Sequence, residues 1–175
     1  MKPTILIAGI GNIFLGDDAF GVEVVQALQQ HQLPEAVTVK DFGIRGFDLA
    51  YALLDPWDTV ILVDAMPRGG APGTLYTIEP DLAAIGHPVT AAAMDPHSMD
   101  PLRVLTLAAS MGDITTCVLV VGCEPLDFGD EFEGRMGLSA PVQAAVEEAC
   151  DMALELADRV LGKKIQKLEP KLCAL

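Results

Sequence analysis

The stretch TILIAGIGNIFLGDDAFG, residues 4–21, decides how the rest of the chain is read. It opens with an apolar run rich in isoleucine and passes through Gly9-x-Gly11. It ends in two carboxylates, Asp17 and Asp18, just ahead of an amphipathic segment. A strand, a Gly-x-Gly turn and a helix form the first unit of many open α/β sheets. A dinucleotide cradle would continue with a third glycine, but Phe14 stands there. It would also leave the positive end of the helix free for a pyrophosphate, and Asp17 and Asp18 would repel one. The loop is therefore read as built for a cation.

Outward from this stretch, other apolar runs read as strands: 37–42, 59–65, 74–80 and 116–122. The runs at 4–9, 59–65 and 116–122 lack in/out alternation, as expected where helices cover both faces of a parallel sheet. Helical periodicity falls between them. Phe20, Val24, Ala27 and Leu28 form one stripe within 18–31, and Leu102, Leu105 and Ala109 another within 98–111, which Gly112 ends. A long stripe in 139–161 runs from Val142 through Ala149 to Val160, with Ser139 as N-cap and Gly162 as terminator. This alternation predicts a three-layer α/β/α domain with a twisted, mostly parallel five-stranded sheet. One domain over 1–162 and a basic, poorly ordered tail over 163–175 are expected.

The bulk properties narrow the function. The chain has 175 residues and is 51% hydrophobic, enough for a proper core without staples. A net charge of −14 sets aside nucleic acid and anionic membranes as partners. No apolar run is long enough to span a bilayer, and the N-terminal run lacks a cleavage site, so a cytoplasmic protein is expected. The four cysteines form no Cys-x-x-Cys pair; Cys117 and Cys123 read as small core residues of one strand.

Ligands of such sheets gather beyond the carboxyl ends of the strands. The groups that follow the strands are Asp17 and Asp18, then Asp41 in DFGIRG (41–46), then Asp64, with His97 ahead of a later helix. Carboxylate oxygens with an imidazole suit a borderline divalent ion such as nickel or zinc. Asp17 is read as a cap or helix-dipole partner, and Asp64 as a carboxylate that needs a partner after a buried strand. Gly9 and Gly11 are read as openings for close approach of a substrate. Arg45 and the acidic segment 124–134 are read as solvated surface; if functional, the segment would steer a basic substrate tail. His31 and His87 are given no role. No Gly-x-Ser-x-Gly or His-Glu-x-x-His occurs, which speaks against serine-hydrolase and zincin chemistry.

Four segments occur in order: GIGNIFLGDDAFG (9–21), VDAMPRGGAPGT (63–74), DPHSMDPLRVL (95–105) and VGCEP with GRMGLSAPV (121–125 and 134–142). Together they resemble the hydrogenase maturation endopeptidases, the nickel-dependent processing proteases of NiFe hydrogenases, over residues 4 to 160. The resemblance implies an endopeptidase that removes a C-terminal extension from the hydrogenase large-subunit precursor after nickel insertion. It places metal ligation on Asp18, Asp64 and His97 and matches Asp41 to an acidic residue of the family's second loop; these four make the expected catalytic set, with the general base open between Asp41 and Asp18. Nickel would come with the substrate, and cadmium or zinc could replace it in a crystal. A monomer that docks on the precursor is expected. Two other readings stay open at this point: a nucleotide- or nucleoside-binding α/β enzyme, in which Asp41 would sit as the ribose-binding acid, and a nickel chaperone without hydrolytic activity.

Overall fold

A computed structural model describes residues 3–85, 100–130 and 133–162. Its strands are β1 (Ile5–Ile10), β2 (Val37–Gly43), β3 (Thr59–Ala65), β4 (Leu75–Ile78) and β5 (Cys117–Cys123). Its α-helices are α1 (Phe20–Leu28), α2 (Gly46–Ala52), α3 (Pro101–Met111) and α4 (Ala140–Leu161). The sheet order is β2-β1-β3-β5-β4, parallel except for β4, which runs antiparallel to β5. This is the five-stranded, mostly parallel sheet expected from the apolar runs.

Side chains alternate between two packed faces. Ile5, Ile7, Ile61, Val63 and Val121 meet α1 and α4 on one side. Leu6, Ala8, Val60, Leu62, Val118 and Val120 meet Leu49 of α2 and Leu105 of α3 on the other. Burial on both faces explains why β1 and β3 are buried at every position. The described residues contain no helix long and apolar enough to cross a membrane.

Helix α4 buries Val142, Ala145, Val146, Ala149, Ala153 and Leu156, as its periodicity predicts, and ends at Gly162 with φ 61°. Other expectations need correction. Helix α2 follows the DFGIRG loop, where no helix is expected. In α3 the buried positions are Val104, Leu105 and Ala108, while Leu102 is exposed; the stripe is rotated from the one read in the sequence. Asp100 caps α3, its carboxylate accepting from the Arg103 amide at 2.9 Å, with Pro101 in the first turn. Cys117 is exposed at the start of β5, so of the two cysteines only Cys123 is a core residue.

The topology fixes where a ligand can sit. From β1 the chain goes to β2 on one side, then crosses to β3 on the other. The loops after β1 and β3 therefore part at the carboxyl edge, and the crevice between them is the switch point.

Candidate active site

The loop after β1 forms a 3-10 turn, Gly16–Ala19, that runs straight into α1. The two acids of this turn do different work. Asp17 is wholly buried, and its carboxylate accepts from the amides of Leu126 (2.8 Å), Asp127 (3.1 Å) and Ser139 (2.6 Å) and from the Ser139 hydroxyl (2.8 Å). Burial alone would raise its pKa; the bonds from Ser139, Asp127 and Leu126 outweigh that and hold it below the usual carboxylate value. Asp17 is thus a strut between the first loop and the segment after β5, not a helix cap. Ser139 stands at the N-cap position, but its hydroxyl makes no capping bond and is turned to Asp17.

Asp18 points the other way. It is half-buried, and its Oδ2 accepts from the Asn12 amide at 2.7 Å. Burial raises its pKa, and the Asn12 amide offsets part of the rise. Asp64 sits near the end of β3, on the side of the sheet that α2 and α3 cover, and is 1% exposed. Its Oδ1 accepts from the Ala65 amide at 2.9 Å. Burial holds its pKa well above the ordinary value; the Asp18 charge adds to the rise, the Ala65 amide opposes it, and the Asp100 charge adds again. Three carboxylates thus act on one spot, and no ion pair joins Asp18 or Asp64 to a lysine or arginine among the described residues.

Asp100 is the residue that sequence reasoning missed. The Asp-Pro pair ahead of a helix was a legible cap signal. That this cap also faces Asp64 follows from the packing of α3 across the sheet. Asp41 lies two residues before the end of β2, in register with Gly9 and half-buried, but it is not among the charges acting on Asp64. Arg45 folds back to donate to the carbonyls of Asp41 and of Phe42 (3.1 Å for the latter), so it fixes its own loop. His97 and His87 lie outside the described residues. Within the described residues no three such donors gather closely enough to hold a metal ion.

The glycines do not open the site to substrate. A Cβ on Gly9 would lie 2.3 Å from the Gly21 carbonyl oxygen, and one on Gly11 would lie 1.7 Å from that of Asp18. Gly9 and Gly21 let α1 rest on the strand backbones. Gly11, at φ 134°, lets the turn fold back on itself.

Four of the loop's amides are also spent. Gly11 donates to the Gly43 carbonyl, Asn12 to Asp18, Phe14 to the Asn12 side chain and Leu15 to the Asn12 carbonyl. The carboxylates of Asp17 and Asp18 would repel a phosphate there, which speaks against the nucleotide reading.

The acidic segment after β5 is not simply solvated. Glu124 is 5% exposed and accepts from the amides of Arg68 (2.8 Å) and Gly69 (3.0 Å) and from the Tyr76 hydroxyl (2.8 Å). It ties down the loop that follows Asp64. Cys123 cannot serve as a nucleophile: burial, with Asp17 and Glu124 nearby, pushes its thiol up to about 12.

A three-layer α/β domain whose switch point gathers carboxylates is the setting for comparison with known proteins. The family model for hydrogenase maturation protease matches residues 22–156. A hydrogenase expression/formation protein HupD from Rhizobium leguminosarum bv. viciae is 34% identical over 160 residues, covering 91% of this chain and 74% of that protein. The hydrogenase 2 maturation protease of Escherichia coli is 30% identical over 152 residues, covering 86% and 88%. The solved structure of the hydrogenase maturating endopeptidase HybD from E. coli superposes with a TM-score of 0.69 at 27% identity, covering 89% and 92% of the two chains. The chain belongs to the hydrogenase maturation protease family and is a peptidase, which removes the reading of a non-hydrolytic chaperone.

Proposed function

We infer that this peptidase removes the C-terminal extension of a NiFe hydrogenase large-subunit precursor once nickel has been inserted. In this reading Asp18, Asp64 and His97 recognise the nickel that the precursor carries. One observation supports it above the others: Asp64 is 1% exposed, faces the like charges of Asp18 and Asp100, and has no cationic partner among the described residues. A buried carboxylate in that setting is stabilised by a positive ion. Asp100 acts on Asp64, and His97 is three residues back along the chain, a span of about 10 Å at most.

The metal belongs to the substrate. When bound, it would supply positive charge to polarise the scissile carbonyl and ease ionisation of water. The chain's own residues do the rest. Asp18 and Asp64 hold the precursor's metal centre against the crevice, which turns cleavage into a proximity-driven step. Asp41, on the same edge, is the base: it takes the proton of the attacking water as the carbonyl–oxygen bond forms. It returns that proton to the departing amine as the peptide bond breaks. Asp17 and Glu124 fix the two loops that carry this geometry. The enzyme acts as a cytoplasmic monomer.

The test compares nickel-loaded with nickel-free precursor, incubated with this protein and followed by intact mass. Loss of the extension from the loaded precursor alone supports the reading. Equal cleavage of both overturns it.

A further inference from the structure

The crevice has an apolar flank that the chemistry does not use. Among the described residues, eight large apolar side chains stand exposed, and all but Leu102 lie on the segments that follow β1, β2 and β5. Apolar exposure concentrated on one edge marks an interaction surface.

Four of them, Ile13, Phe14, Leu126 and Met136, lie on two segments that are bonded together. The Arg135 amide donates to the Phe14 carbonyl and the Gly16 amide to the Arg135 carbonyl, each at 2.7 Å, which zips the first loop to the segment after β5. The Asp17 carboxylate takes the Leu126 amide from below. These bonds tie the segments that carry Phe14, Leu126 and Met136 to one another, and the three side chains are 57%, 57% and 72% exposed. Binding there would cost little loop ordering.

The rim of this platform is acidic. Among the described residues of the segment that carries Leu126 and Met136, Asp127, Asp130 and Glu133 stand against one cation, Arg135, which is paired with Asp127 at 2.8 Å. With the net charge of −14, such a rim repels a second copy of this chain and attracts a cationic one. The platform is also continuous with the crevice, since Phe14 lies four residues before Asp18 on the same loop.

We propose that Phe14 and Met136, with Ile13 and Leu126, are the docking face for the substrate protein and take an apolar side chain flanked by lysine or arginine. This rests on the function inferred above, and it makes the face a determinant of which precursor is accepted.

Phe14→Ser, the double variant Phe14→Ser with Met136→Ser, and the rim variant Glu133→Lys are assayed on nickel-loaded precursor. We expect kcat/KM to fall about tenfold for Phe14→Ser and further for the double variant, with the loss in KM. Glu133→Lys, which touches no packing, raises KM as well and flattens its salt dependence. Unchanged KM in all three overturns the proposal. If the wild-type protein never shortens the precursor, calorimetry of precursor binding decides separately: weaker binding by the variants upholds the docking face, and equal binding overturns it. A wild-type dimer in sedimentation that the double variant dissolves also overturns it, because the face then belongs to a second copy.

Discussion

Ser139 donates two hydrogen bonds to Asp17, from its amide at 2.6 Å and its hydroxyl at 2.8 Å, across 122 residues of chain. Through this contact the first loop and the start of α4 hold each other in place, with Asp18 on the loop's far side.

Removing the strut leaves orphans. Asp17→Ala strips partners from the buried end of the loop and from the amides of Leu126, Asp127 and Ser139. A loss of about 3 kcal/mol or more is expected in urea unfolding. Ser139→Ala removes the hydroxyl alone and costs about 1 kcal/mol. Equal, small losses for both would mean that Asp17 is not the hub described.

Glycine positions separate close packing from backbone strain. A Cβ at Gly21 would lie 2.1 Å from the Val63 carbonyl oxygen, inside a strand–helix contact that cannot open. Gly21→Ala is therefore expected to cost more than about 3 kcal/mol or to abolish folding. Gly69 has φ 84° but open space around it, so Gly69→Ala is expected to cost only about 1 kcal/mol. Melting temperatures of the two variants check the order.

The Glu124 network predicts a pH signature. Burial raises this carboxyl's pKa, but the bonds from Arg68, Tyr76, Gly70 and Gly69 win and lower it from 4.5. A group with a depressed folded pKa stabilises above its unfolded value, and that contribution disappears as pH falls through the folded value. Wild-type protein should exceed Glu124→Gln in urea stability at neutral pH, and the gap should narrow below about pH 4.5. A gap that stays constant down to about pH 3 would contradict the assignment.

Stability and function should part company at the crevice. Asp64→Asn removes a buried charge that faces Asp18 and Asp100, so the variant should be at least as stable as wild type. Its processing of precursor should fall by about a hundredfold or more, as should that of Asp18→Asn and His97→Ala. Intact mass against time, beside unfolding curves, measures both. A variant that is destabilised yet fully active would place its residue in the scaffold.

What the sequence showed and what it hid have physical causes. The run 59–65 was legible as β3 because burial on both faces demands an unbroken apolar stretch, and Asp64 stood out as its one charge. The stripe of α4 was legible because twenty-two residues give the helical period room to show. Helix α2 was hidden: it has seven residues, and its aromatic Phe47 and Tyr51 face outward and blur the stripe. The role of Asp17 was hidden because its partners lie 109 to 122 residues away, beyond any local pattern. Glu124 was masked by the acids that follow it. The pairing of Asp18 with Asp64 was legible from the strand-end rule alone, since β1 and β3 are neighbours in the sheet.

The central claim is that the acidic crevice meets a metal ion, and anomalous diffraction from a crystal soaked in nickel or cadmium salt tests it most directly. The account predicts one strong peak in direct contact with the carboxylates of Asp18 and Asp64 and with the His97 imidazole. A peak held by other residues, or carboxylates at 18 and 64 too far apart to share one ion, would contradict it.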